Sequence, residues 1–220
     1  MNCFAELKAR QRDERHAYPD NLGLRVHRAL SWLKKAEACQ GDDDAQFIFL
    51  WIAFNSAYAN DVDKAYRIAE HQTFDKFINK LCKLDKKSRL STIVWQEFAG
   101  AIRILLDNEY VFQPFWDFQN GLITEEQWKS RFNQAKSYAN KALGQENTAN
   151  VLAILFDRIY TMRNQLIHGG ATYESKVNRE QMRDGCHLLG KLVPIIIEIM
   201  MDNPDTLWGD AYYPVIDSSI

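Results

Sequence analysis

The sequence predicts an all-α fold, and three observations carry that expectation. Apolar residues recur at intervals of three and four along most of the chain, the period of one helix face. No stretch alternates apolar and polar residues between turn signals, as a half-buried strand would. Only ten Gly and five Pro punctuate 220 residues, so the chain has few places to break. The expected architecture is a single helical-bundle domain of about six to eight helices over residues 21–203. Residues 1–20 form an N-terminal extension and 204–220 a C-terminal tail. No linker, internal repeat or low-complexity block argues for a second domain.

The elements follow in order. "LGLRVHRALSWLKKAEAC" (22–39) reads as a first helix, with Leu22, Val26, Ala29, Leu30 and Leu33 on one side. "GDDD" (41–44) supplies an N-cap and negative charge for a helix over about 45–60. In "AQFIFLWIAFNSAYA" apolar side chains surround the axis, so this helix belongs at the centre of a core. Asn55 is its polar exception, read as a buried residue with its hydrogen bonds satisfied. Residues 61–90 are more polar and carry one shorter helix, "HQTFDKFINKLCKL". A helix near 90–106 follows, then an irregular aromatic stretch, "EYVFQPFWDFQNG" (109–121). "TEEQWKSRFNQAKSYANKAL" (124–143) opens with Thr124 and acids in its first turn. Another helix over about 148–168 stops at Gly169-Gly170. The last runs over about 178–202, and "NPDTLWGDAYYPVIDSSI" trails it.

Bulk properties narrow the function classes. Hydrophobic residues make up 46% and charged residues 25% of the chain, an ordinary globular balance. Six Trp, nine Tyr and twelve Phe are too many for a disordered chain. A net charge of −2 gives no global attraction to a polyanion, which must then be met by a local patch. Cysteines at 3, 39, 82 and 186 form no C-x-x-C pair and have no histidines at zinc spacing, so no metal is expected. They read as reduced thiols of a cytoplasmic protein. The start, "MNCFAELKARQRDER", lacks an apolar segment of signal-peptide type. The longest apolar runs, 47–54 and 192–201, fall short of the ~20 residues that span a bilayer, so no membrane partner is expected. There is no G-x-x-x-x-G-K-[ST] and no strand-linked G-x-G-x-x-G, hence no nucleotide cofactor.

The stretch "RNQLIHGG" (163–170) poses the functional question. On a helical wheel Val151, Leu152, Leu155, Ile159, Met162 and Leu166 form one apolar stripe. Arg163 falls inside that arc, between Ile159 and Phe156. Tyr160, Asn164 and His168 lie along a different face. A buried unpaired guanidinium would cost several kcal/mol, so Arg163 requires a carboxylate, a phosphate or a polar cleft at an interface. Asp157 and Arg158 are placed at the start of the helix's polar side, each able to pair with a neighbour. From these residues alone, a structural ion pair with a helix-end histidine and a phosphate-handling site both stand.

"RNQLIHGG" resembles the R-N-x-x-x-H signature of the HEPN superfamily: an Arg, a polar residue and a His a few positions beyond. "LRVHRALSWLKKAE" (24–37) and "FIFLWIAFNSAYA" (47–59) resemble the first two helices of its Apea-like branch, in the expected order. The resemblance covers about residues 20–200. It implies a metal-independent endoribonuclease, in a toxin or antiphage role, with Arg163, Asn164 and His168 as catalytic residues. Metal-free RNA cleavage uses the substrate's 2′-OH to attack the adjacent phosphorus. His168 suits the proton transfers, Arg163 the phosphate, and Asn164 a phosphate oxygen or the imidazole. In that superfamily two copies of the motif meet across a symmetric dimer, so the implied partners are RNA, a second copy of the chain, and an antitoxin or regulatory protein. Arg25, Arg28 and Tyr160 are secondary substrate-binding candidates. The rival from another class is a non-catalytic HEPN module for RNA binding or dimerisation.

Two other stretches could touch RNA. "KLCKLDKKSRL" (80–90) is the densest basic run, but a solvated helix end accounts for it as well. The aromatics of 109–118 could stack on bases, yet core packing is their commoner use.

Overall fold

The computed structural model describes residues 3–58, 68–176 and 179–209. Among the described residues the fold is all-α: ten α-helices, short 3₁₀ and π turns, and no strand. Contacts group the chain into two compact units, Met1–Gln72 with Leu189–Ile220, and Thr73–Leu188.

In the first unit, α1 (Cys3–Glu14) is joined by a 3₁₀ turn to α2 (Asp20–Glu37), which packs on α3 (Asp43–Tyr58). The expected face of α2 is the buried one: Leu22, Val26, Ala29, Leu30 and Leu33 are each at most 1% exposed. The helix α3 is apolar around its axis, and Phe47, Leu50, Trp51, Ala53, Phe54 and Ala57 are buried along it. Asp42 caps it, its Oδ1 accepting from the Ala45 amide at 2.9 Å. Asn55, expected to be buried, is half-buried. The N-terminal extension is helical. The Phe4 amide donates to Glu37 Oε1 at 2.8 Å, and Arg10 Nη1 pairs with Asp202 Oδ1 at 2.9 Å.

The second unit begins within α4 (Ile68–Leu84) and continues through α5 (Arg89–Thr92), a π turn (Ile93–Glu97) and α6 (Ala99–Leu106). After a 3₁₀ turn (Glu109–Val111) come α7 (Gln113–Gln119), α8 (Glu125–Gly144) and α9 (Thr148–Ile167). The last helix, α10 (Arg179–Asp202), belongs to the second unit up to Leu188 and to the first from Leu189. The count exceeds six to eight for local reasons. One additional helix is α1, where none was expected. The π turn divides the expected 90–106 helix into α5 and α6. The aromatic stretch, expected to be irregular, forms α7 with Pro114 in its first turn, where a missing N–H costs nothing.

Of those aromatics Phe112 and Phe115 are buried, Trp116 and Phe118 are half-buried and Tyr110 is exposed. Phe115 packs edge-on against Trp128 at 5.3 Å, and Phe112 lies 5.3 Å from Phe132. Thr124 closes a capping box with Gln127 at the start of α8. The basic run 80–90 is a helix end: Asp85 is buried, accepts from the Leu90 amide at 2.8 Å and pairs with Arg89 at 3.1 Å. Residues 61–67, Asn178 and the tail beyond 209 lie outside the described residues, as do the last two positions of the expected 45–60 helix.

Candidate functional site

The site is built on α9. Asn147 caps its start, accepting from the Asn150 amide at 3.0 Å. Of the stripe the wheel gives, Val151, Leu152, Leu155 and Ile159 are 0% exposed, Met162 1% and Leu166 half-buried; of its flank, Phe156 is 0% exposed and Ile167 exposed. The helix ends as the glycines require. His168 is the C-cap, its amide donating to the Asn164 carbonyl at 3.0 Å. Gly169 takes φ +69°, left-handed backbone that a side chain would strain. The Gly170 amide then donates to the Gln165 carbonyl at 2.7 Å.

Arg163 is half-buried at the margin of the stripe. Its Nη1 donates to Asn164 Oδ1 at 2.9 Å, while its Nε is buried without a hydrogen-bond partner. No carboxylate among the described residues pairs with it. Of the alternatives open for Arg163, the structural ion pair is therefore absent. His168 is exposed at the helix terminus. A guanidinium with unspent donors, an amide and an exposed imidazole thus sit within six residues of one helix end.

The secondary candidates stand differently. Arg25 is 1% exposed, and its guanidinium donates to the Ala57 carbonyl at 2.9 Å and the Gly209 carbonyl at 3.3 Å. It is a structural residue of the first unit and not a surface ligand for phosphate, because its donors are turned into that unit's backbone. Arg28, also on α2, is half-buried. Tyr160 is half-buried on α9, its ring 6.2 Å from Phe74 in an edge contact.

Arg158 corrects the sequence reading most. Expected on the polar side, it is 1% exposed. None of its three guanidinium nitrogens has a hydrogen-bond partner among the described residues, and the group lies 4.4 Å from the Phe112 ring centroid. Burial pushes its proton affinity below the usual arginine range, opposed by the Asp157 carboxylate. The signal was present in the wheel. Seven residues turn through about 700°, so position 158 lies only about 20° from Val151. The stripe is thus edged by Arg158 on one side and has Arg163 near the other.

Among the described residues no group of three or more His, Cys, Asp or Glu side chains could hold a metal ion. No described helix is long and apolar enough to cross a membrane. No family model, no curated protein and no solved structure matches the chain.

Proposed function

We propose that the chain is a metal-independent endoribonuclease of HEPN type, in which Arg163, Asn164 and His168 act on RNA. The observation that carries the proposal is the state of Arg163. A half-buried guanidinium holds a donor with no acceptor, five positions before an exposed imidazole on the same helix terminus. A phosphate oxygen satisfies that donor and neutralises that charge. The 2′-OH then attacks phosphorus, the P–O5′ bond breaks, and the products are a 2′,3′-cyclic phosphate and a free 5′-OH.

One imidazole does not readily serve as both base and acid in a single turnover, so two chains related by a two-fold axis supply one groove. Ile167, half exposed beside His168, is the kind of apolar residue a second copy would cover. A toxin or antiphage role, restrained by an antitoxin or regulatory partner in the cytoplasm, is the setting such chemistry fits. The resemblance alone supports that role.

The rival is a non-catalytic HEPN module that binds RNA or dimerises. The Arg163–Asn164 hydrogen bond favours it, since the two side chains partly satisfy each other. Labelled single-stranded RNA and DNA of one sequence, incubated with the protein and a chelator, separate the two. Nuclease activity predicts that RNA is cut and DNA is not, because DNA lacks the attacking hydroxyl. Binding of RNA without cleavage would leave the module.

A further inference from the structure

Among the described residues two arginines are buried to 1% exposure, and they are in opposite states. Arg25 donates to backbone carbonyls. Arg158 has Nε, Nη1 and Nη2 all buried and all without a partner among the described residues. A guanidinium carries five N–H donors and does not lose its charge in a protein. Enclosing it with no acceptor is costly, and the Phe112 ring at 4.4 Å offsets only part of that cost. The cost would be removed by an oxyanion.

We propose that Arg158 is the receiving residue of a second anion site on α9, one that takes a phosphate-type oxyanion beside Phe112. The geometry suits that ligand. The ring lies 4.4 Å from the guanidinium carbon, and a guanidinium's N–H bonds point outward in its own plane, so contact with a ring and edge-on bonding to two oxygens are compatible. Phe112 follows a single 3₁₀ turn, Glu109–Val111, and Gln165 Nε2 holds that turn on α9 by donating to the Tyr110 carbonyl at 2.8 Å. Gln165 lies two turns beyond Arg158 on the same face of the helix, so an oxyanion would reach Arg158 by displacing this turn and not by unwinding α9.

The site is separate from the motif. Arg158 is enclosed beside Phe112, whereas Arg163 is half-buried and bonded to Asn164, and the two lie about 140° apart around the helix. The proposal is therefore independent of nuclease activity. The oxyanion could be free phosphate or a phosphodiester of a nucleic acid strand, and both present the same pair of oxygens.

The test is thermal unfolding of the full chain against increasing inorganic phosphate at constant ionic strength. A second series uses a short single-stranded RNA without terminal phosphate. Wild type is expected to show a Tm that rises with ligand in at least one series. Arg158→Lys keeps the charge and the stack but loses the fork, so the rise should be lost. Arg158→Met should lose it too, while Arg163→Ala keeps the rise caused by phosphate. A response to phosphate alone identifies a free ion, and a response to RNA alone identifies a strand backbone. No rise in either series would overturn the proposal. So would a phosphate rise that persists in both Arg158 variants, the mark of general salt exclusion, or one that is lost in Arg163→Ala.

Discussion

The arginines show how little residue type says without environment. Arg25, Arg158 and Arg163 all lie on helices with apolar faces, yet one is bonded to carbonyls, one is enclosed without an acceptor, and one is half-open with a donor to spare. Arg25→Met should therefore lower stability by about 2 kcal/mol or more, since two carbonyl oxygens lose a charged donor. Chemical denaturation measures this, and the cleavage rate per folded chain should not change. Cys82 gives a prediction in pH. Burial, with a contribution from the Asp85 carboxylate, pushes its thiol up from 9.0 to about 12. Alkylation of Cys82 at pH 8 should then be far slower in the native chain than in the denatured one, because only the thiolate reacts. The sign for stability follows. The folded state holds the proton more tightly, so this contribution is complete below about pH 9 and is lost as pH rises toward 12. Mass spectrometry of the alkylated chain reads the first effect. The positions of Arg163 and Val151 on the wheel were legible in the sequence. The position of Arg158 about 20° outside the stripe was equally legible, but its enclosure was not, because Phe112 meets it from a distant part of the sequence.

At the scale of elements, periodicity located the long helices because each has an apolar face to bury. The helices α2, α3, α8, α9 and α10 begin and end within about two residues of the expected bounds. What escaped was short structure. A seven-residue helix such as α7 has too few turns to show a period, and its aromatics pack in the tertiary structure with Trp128 and Phe132. The π turn Ile93–Glu97 interrupts a segment whose composition is that of a continuous helix. End signals were more dependable than interiors, as the caps at Asp42, Thr124 and Gly169 show. Thr124→Ala removes the side-chain acceptor of the Gln127 amide, 3.3 Å away, and half of the capping box. The expected loss is about 1 kcal/mol, seen as a lower Tm with little effect on the 73–188 unit's chemistry.

At the scale of the whole molecule, α2 and α3 belong to the first unit while the motif helix belongs to the second. The family resemblance rests on sequence in both. The all-α class was legible because it depends only on short-range pattern. The candidate site was legible in part: Arg163, Asn164 and His168 fall on the last turns of α9, but their donors and acceptors were set by neighbours no pattern reveals. Catalysis would add a demand on assembly. A single chain carries one imidazole at this terminus, and acid–base cleavage through two such groups calls for two chains.

The direct measurement is the rate of cleavage of labelled single-stranded RNA by wild type, Arg163→Ala and His168→Ala in the presence of chelator, with the product ends identified. The account predicts 2′,3′-cyclic phosphate ends from wild type and a rate lower by about 100-fold or more in each variant. Cleavage at the wild-type rate in both variants, or no cleavage by wild type of any RNA offered, would contradict it.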